Sequence, residues 1–152
     1  MNEQKLYTNL LKDFSFTPTA DQEHALKLLS GYLTHDENEQ IFLLKGYAGT
    51  GKTTIISTVV KNLSKLRLKS ALSAPTGRAA KVMRNYSGKN AQTIHKLIYF
   101  PKKNGKGNVD FVTKENKYRN TVFIIDEASM IPDFSAGEDL FSGNSLLDDL
   151  VE

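Results

Sequence analysis

LLKGYAGTGKTT, residues 43–54, follows an apolar run with three glycines, a lysine and two threonines. This order suits a turn that wraps a polyphosphate. Glycines at 46, 49 and 51 supply unusual φ values and a close backbone approach. Successive N–H groups in such a turn, backed by a helix N-terminus, form an anion site. The spacing G-x-x-x-x-G-K-[ST] is met at Gly46, Gly51, Lys52 and Thr53. Lys52 is expected to place its charge between β- and γ-phosphates, and Thr53 Oγ to ligate Mg²⁺. Ala48, Gly49, Thr50 and Thr54 complete the expected wrap. The motif requires a strand before it and a helix after it. Residues 41–45 read as a short, fully buried parallel strand, and 53–65 as the helix. The expected ligand is therefore a nucleoside triphosphate with Mg²⁺; for the adenine of ATP the candidate reader is Gln22, upstream of the loop.

The charge pattern points to a second, larger anion. The 152 residues carry a net charge of only +3, but unevenly. Residues 1–39 sum to −4, residues 40–109 to +14 without a single Asp or Glu, and residues 110–152 to −7. Seventy residues without a carboxylate are the electrostatic footprint of a polyanion partner. A solvated basic face accounts for the same charge, although a nucleotide alone needs only a few of these cations. The absence of cysteine excludes a disulfide framework and a thiolate metal site. No apolar run approaches a membrane span and no signal-peptide pattern opens the chain, so the expected location is the cytoplasm, with no membrane partner.

Along the chain, helical spacing of Leu6, Leu10, Leu11 and Phe14 predicts a helix over 3–14. A second helix is predicted with Thr17 as N-cap, Pro18 in its first turn and a stop near 34. KSALSAP, 69–75, reads as a buried strand, GRAAKVMRNY as a helix and AQTIHKLIY as a shorter helix. TVFIIDEAS supplies a third apolar strand. Before it, Gly105 and Gly107 stand between Phe100 and the alternating VDFVTK, which predicts an inserted β-hairpin within 99–120. Strands alternating with helices give an α/β fold with a parallel sheet flanked by helices. The predicted organisation is an N-terminal helical segment, 1–38, followed by a P-loop domain, 39–152.

In VFIIDEAS, 122–129, four apolar residues carry Asp126 to the C-terminal edge of the sheet. There its carboxylate can hold Mg²⁺ through water. Glu127 can polarise an attacking water as general base. Asp-Glu after a P-loop favours nucleotide hydrolysis over phosphoryl transfer to a small molecule. Upstream, the Gln22 amide matches the adenine N6 amine and N7, although spacing alone reads it equally as an ordinary polar helix residue.

GYAGTGKTT, APTGRAAKVM, TIHKL and IIDEASM, in that order and with Gln22 ahead of them, resemble superfamily 1B DNA helicases of the RecD (exonuclease V alpha subunit) and Dda type. The resemblance covers residues 16–132. It implies a RecA-like fold and an ATP-driven motor moving 5′ to 3′ on single-stranded DNA, with roles in repair and recombination and other subunits of such a complex as partners. It also implies that Gln22 reads adenine, that Pro75, Thr76, Gly77 and Arg78 grip the DNA backbone, and that Thr93 and His95 face DNA. A Thr hydroxyl, an exposed backbone N–H and an Arg are suitable phosphate ligands. In this family the insertion after TIH often forms a strand-splitting pin. Phe100, Lys102, Lys103 and Lys106 are the corresponding contacts here, and a surface hairpin without that role is the equal alternative.

The resemblance further implies that 1–152 is incomplete, the N-terminal part of a larger helicase. The family's sensor strand and second RecA-like domain are not in it, and on that reading the fragment alone is inactive. The strand expected between 41–45 and 121–126 is missing too, which predicts an open sheet edge, with either marginal stability or a slot filled by a strand from the chain itself or a neighbour. Residues 133–145 depart from the short link the family has after its acidic strand. A P-loop ATPase switch and a DNA-binding module without unwinding activity are the competing functions. APTGRAAK and TIH argue against the switch.

Overall fold

The structure is a computed structural model that describes residues 1–35, 40–103, 105, 109–132 and 145–151. Contacts divide the chain into two compact units, Met1–Ser70 and Ala71–Glu152. The division falls inside the first strand, β1 (Lys69–Ala74).

Met1–Ser70 is built on three helices, α1 (Glu3–Asp13), α2 (Ala20–Thr34) and α3 (Lys52–Leu63). α1 packs against both others, burying Leu6 and Leu10 one turn apart on its inner face. Tyr7 Oη donates to Glu23 on α2 at 2.7 Å, and Lys65, just past α3, pairs with Asp13 at 2.7 Å. That ammonium holds the Asp13 carboxyl below its usual range. α2 begins later than predicted: its N-cap is Thr19, not Thr17, and Pro18 lies outside the helix. The reason is a reciprocal capping box. Thr19 Oγ1 accepts from Gln22 N at 3.3 Å, while Gln22 Oε1 accepts from Thr19 N at 3.0 Å.

The strand expected at 41–45 is absent. Residues 40–47 run without ladder partners among the described residues. Ile41 and Leu43 are 77% and 63% exposed, while Phe42 and Leu44 are half-buried. A strand buried on both faces needs a neighbour on each edge; this segment is instead held through one face, by Tyr32 at the end of α2. Tyr32 Oη donates to Gln40 O at 2.8 Å, and its ring lies 5.4 Å from that of Phe42.

Ala71–Glu152 contains a three-stranded parallel sheet in the order β2-β1-β5, flanked by helices and consistent with a partial RecA-like P-loop fold. β2 is Ala91–Thr93 and β5 is Thr121–Ile125. The register aligns Leu72 with Ala91 and Ala74 with Thr93. β1 is buried toward its end, but β5 is only half-buried, and Phe123 is 40% exposed. α4 (Gly77–Ser87) follows β1 and ends at Gly88, whose φ of 66° is the left-handed C-cap that favours glycine.

The helix predicted across AQTIHKLIY resolves into β2, α5 (Ile94–Ile98) and the start of β3 (Tyr99–Lys103). Pairing with β1 captures Ala91–Thr93, and Thr93 then caps α5. β3 pairs antiparallel with β4 (Val109–Thr113), with Phe100 across from Val112 and Lys102 across from Asp110. Ile94, Tyr99 and Leu146 form a core cluster with Ile98, Phe111, Ile125, Ile131 and Leu150 packed against it. Its last members come from α6 (Leu146–Val151), whose buried Asp149 accepts a hydrogen bond from Tyr99 Oη. Gly107, Lys106 and most of 133–145 lie outside the described residues.

Candidate functional site: a glycine loop and an acidic strand end

The glycine loop belongs to Met1–Ser70. Gly49 and Gly51 take φ of 81° and 88°, the left-handed region that the sequence reserved for glycine. Gly51 is the N-cap of α3. A Cβ on Gly46 would stand 2.7 Å from Thr50 Oγ1, and one on Gly51 would collide with the Gln22 amide. Tyr47 O is the hub of the turn: it accepts from Thr50 N at 3.3 Å, Thr50 Oγ1 at 2.8 Å and Lys52 Nζ at 3.0 Å. Lys52 Nζ also donates to Gly46 O at 2.6 Å. The lysine is thus folded over its own loop, within reach of whatever anion the loop holds.

One feature of α3 sets it apart. α1, α2, α4, α5 and α6 each begin with a side-chain cap, from Asn2, Thr19, Thr76, Thr93 and Ser145. α3 has none, and no acid occupies its first turn. The first N–H groups of a helix have no intrahelical acceptor, so the helix behind the glycine loop leaves its positive end to an outside anion. This donor set fits a polyphosphate.

Gln22 is placed beside this loop, although not with its amide open. Its Nε2 donates to Thr50 O at 2.9 Å, while its Oε1 serves the capping box. Both ends of the amide that was expected to read adenine are engaged by the protein itself. Thr53 is exposed in the first turn of α3, with Thr54 half-buried beside it, and Ala48 is exposed at the loop tip.

The acidic strand end belongs to Ala71–Glu152. Asp126 follows β5, and its backbone N–H donates to Ser73 O at 3.0 Å. Its Oδ1 accepts from Glu127 N at 2.9 Å and its Oδ2 from Tyr86 Oη at 2.8 Å. Burial, the hydrogen bond to Asp126 and the Asp126 and Glu127 charges all push the Tyr86 phenol far above its ordinary range, so it remains a donor. Glu127 is exposed and sits at φ 54°, ψ 37°, a strained conformation for a residue with a Cβ. Strain of this kind clusters at functional sites.

Because the strands are parallel, the C-terminal ends of β1, β2 and β5 share one edge of the sheet, where α/β proteins bind ligands. That edge brings together Pro75, Thr76, Gly77 and Arg78 after β1, Thr93 at the end of β2, and Asp126 after β5. Thr76 Oγ1 accepts from Ala79 N at 3.2 Å and Thr93 Oγ1 from Lys96 N at 3.3 Å. Each cap uses a lone pair and leaves the O–H proton for another acceptor. A cleft of about 290 Å³ opens beside them, lined by Gly77, Ala80, Arg84, Asn90, Ala91, Gln92, Thr93 and Lys96. Arg78 and His95 are exposed, the latter with its ring 5.9 Å from that of Tyr99. On β3, Phe100, Lys102 and Lys103 are exposed.

Sequence reasoning missed Tyr86, Arg84 and Lys96. The two cations had a signal, since both fall in the acid-free block. Tyr86 had none: it meets Asp126 from 40 positions away. Among the described residues no group of three His, Cys, Asp or Glu side chains gathers as a metal site, and no helix is long and apolar enough to cross a membrane.

The AAA domain family matches residues 32–143. The ATP-dependent RecD2 DNA helicase of Deinococcus radiodurans is 29% identical over 149 residues, covering 88% of this chain and 20% of its own length. The ATP-dependent DNA helicase dda of Enterobacteria phage T4 is 36% identical over 97 residues, covering 62% of this chain and 22% of its own. The chain thus spans about a fifth of the length of these curated relatives. No solved structure gives a significant match.

Proposed function

Because the chain belongs to the AAA domain family, among its RecD/Dda-like helicases, we propose that it is the nucleotide-binding part of an ATP-driven DNA motor. The motor moves 5′ to 3′ along single-stranded DNA. The observation that carries the reading is the uncapped start of α3 behind a loop held at φ of 81° and 88°. Lys52 neutralises the β- and γ-phosphates, the N–H groups of Gly49–Thr54 wrap them, and Gln22 turns from Thr50 O to the adenine edge. In Met1–Ser70 the Thr53 hydroxyl, and in Ala71–Glu152 the Asp126 carboxylate, are the groups that would hold Mg²⁺, each an oxygen ligand of the kind this hard cation takes. Glu127 draws the proton from the attacking water. Bound Mg²⁺ supplies charge neutralisation at the phosphates.

DNA follows the shared edge of the strands. Thr76 and Thr93 hydroxyls donate to successive phosphates, with Arg78 as charge and His95 at the margin. Phe100 stacks on a base, and Lys102 and Lys103 attract the backbone. Lys102 contributes the less of the two, because Asp110 stands directly across the hairpin. By itself 1–152 binds nucleotide without appreciable turnover. The motor acts in repair or recombination, with other subunits of such a complex, in the cytoplasm.

The salt dependence of single-stranded DNA binding tests the interface. Three contacts from Arg78, Lys102 and Lys103 give a log–log slope of about −2, and roughly a twentyfold loss of affinity between 50 and 200 mM salt. Arg78→Ala flattens the slope by about 0.7. An affinity indifferent to salt, or a slope unchanged in the variant, contradicts the assignment.

A further inference from the structure

We propose that Tyr86 is a positioning residue for Asp126, fixing the carboxylate in the orientation that would serve Mg²⁺. The inference rests on the ATPase reading above. Three elements converge on this one acid. β1 holds its backbone through Ser73 O at 3.0 Å, the turn after β5 holds Oδ1 through Glu127 N at 2.9 Å, and the last turn of α4 holds Oδ2 through Tyr86 Oη at 2.8 Å.

The two carboxylate contacts differ in what they control. Glu127 N is the next residue in the chain and constrains Asp126 only locally. Tyr86 comes from a separate helix whose C-terminus is set by Gly88, so its hydroxyl is an external reference point. With both oxygens held, rotation of the carboxylate about its Cβ–Cγ bond is stopped. Each oxygen nonetheless keeps a lone pair, since an ionised carboxylate offers about four acceptor sites. Asp126 and Tyr86 are both half-buried, so the carboxylate is held without being sealed from solvent. Outer partners of this kind orient metal-site carboxylates elsewhere, and their loss weakens metal binding.

Titration of a fluorescent ATP analogue into the full protein, with Mg²⁺ and with EDTA, tests the proposal on wild type, Tyr86→Phe and Asp126→Asn. Phenylalanine keeps the ring and removes only the donor. Tyr86→Phe is expected to bind the analogue as wild type does in EDTA. It should require about three- to tenfold more Mg²⁺ to reach half of the Mg²⁺-dependent gain, the size of one hydrogen bond's net contribution. Asp126→Asn should lose that gain altogether. An unchanged Mg²⁺ requirement in Tyr86→Phe overturns the proposal. So does an equal loss of binding in EDTA, which would make the bond a support of the fold. A wild-type protein whose nucleotide affinity ignores Mg²⁺ removes the ATPase reading itself, and the inference with it.

Discussion

In the full protein, Glu127→Gln is expected to lower ATP turnover by about 10²- to 10⁴-fold, the usual contribution of a positioned general base, while nucleotide affinity stays near that of wild type. Glutamine keeps the size and the backbone of the acid but cannot take a proton. The backbone contact that ties residue 127 to Asp126, its N–H on Oδ1 at 2.9 Å, survives the change. So does the left-handed conformation at φ 54°, because a glutamine meets the same steric cost there. The effect should therefore appear in kcat and not in binding. Steady-state hydrolysis and equilibrium titration on the same preparations separate the two. Turnover within a few-fold of wild type would remove Glu127 from the chemistry.

Lys52→Ala acts on binding instead. Truncating a charge that meets the β- and γ-phosphates costs about 2–4 kcal/mol, or roughly 30- to 1,000-fold in affinity. The structure argues for the lower part of that range. Lys52 Nζ already donates to Gly46 O at 2.6 Å and Tyr47 O at 3.0 Å, so moving it onto phosphate exchanges two good acceptors for stronger ones. The loop should not unravel without it, because Thr50 still ties to Tyr47 O through both its N–H and its hydroxyl. Calorimetry giving equal ATP affinity in wild type and variant would contradict the P-loop assignment.

What could be read from the sequence was what local chemistry decides. The glycine loop and α3 were legible because φ at Gly49 and Gly51 and the start at Lys52 depend on a dozen adjacent residues. The start of α2 was present in the sequence but misread. Pro18 drew the cap to Thr17, whereas Thr19-Ala-Asp-Gln22 carries the capping-box spacing that prevails. The run 41–45 was misread for a different reason: apolar composition does not tell a strand flanked by partners from one that lacks them, and Ile41 and Leu43 are exposed. Ala91–Thr93 is too short to carry a period and becomes a strand only through its register with β1. The candidate site divides in the same way. Asp126 and Glu127 were legible from the apolar run that leads into them. The engagement of Gln22 with Thr50 O and of Tyr86 with Asp126 arises only from tertiary placement.

Strand displacement by the full protein on short duplexes with a single-stranded tail tests the motor most directly. The account predicts ATP-dependent release from a duplex with a 5′ tail and little from one with a 3′ tail. Release without ATP, equal release from both tails, or none from either while ATP is still hydrolysed would contradict it.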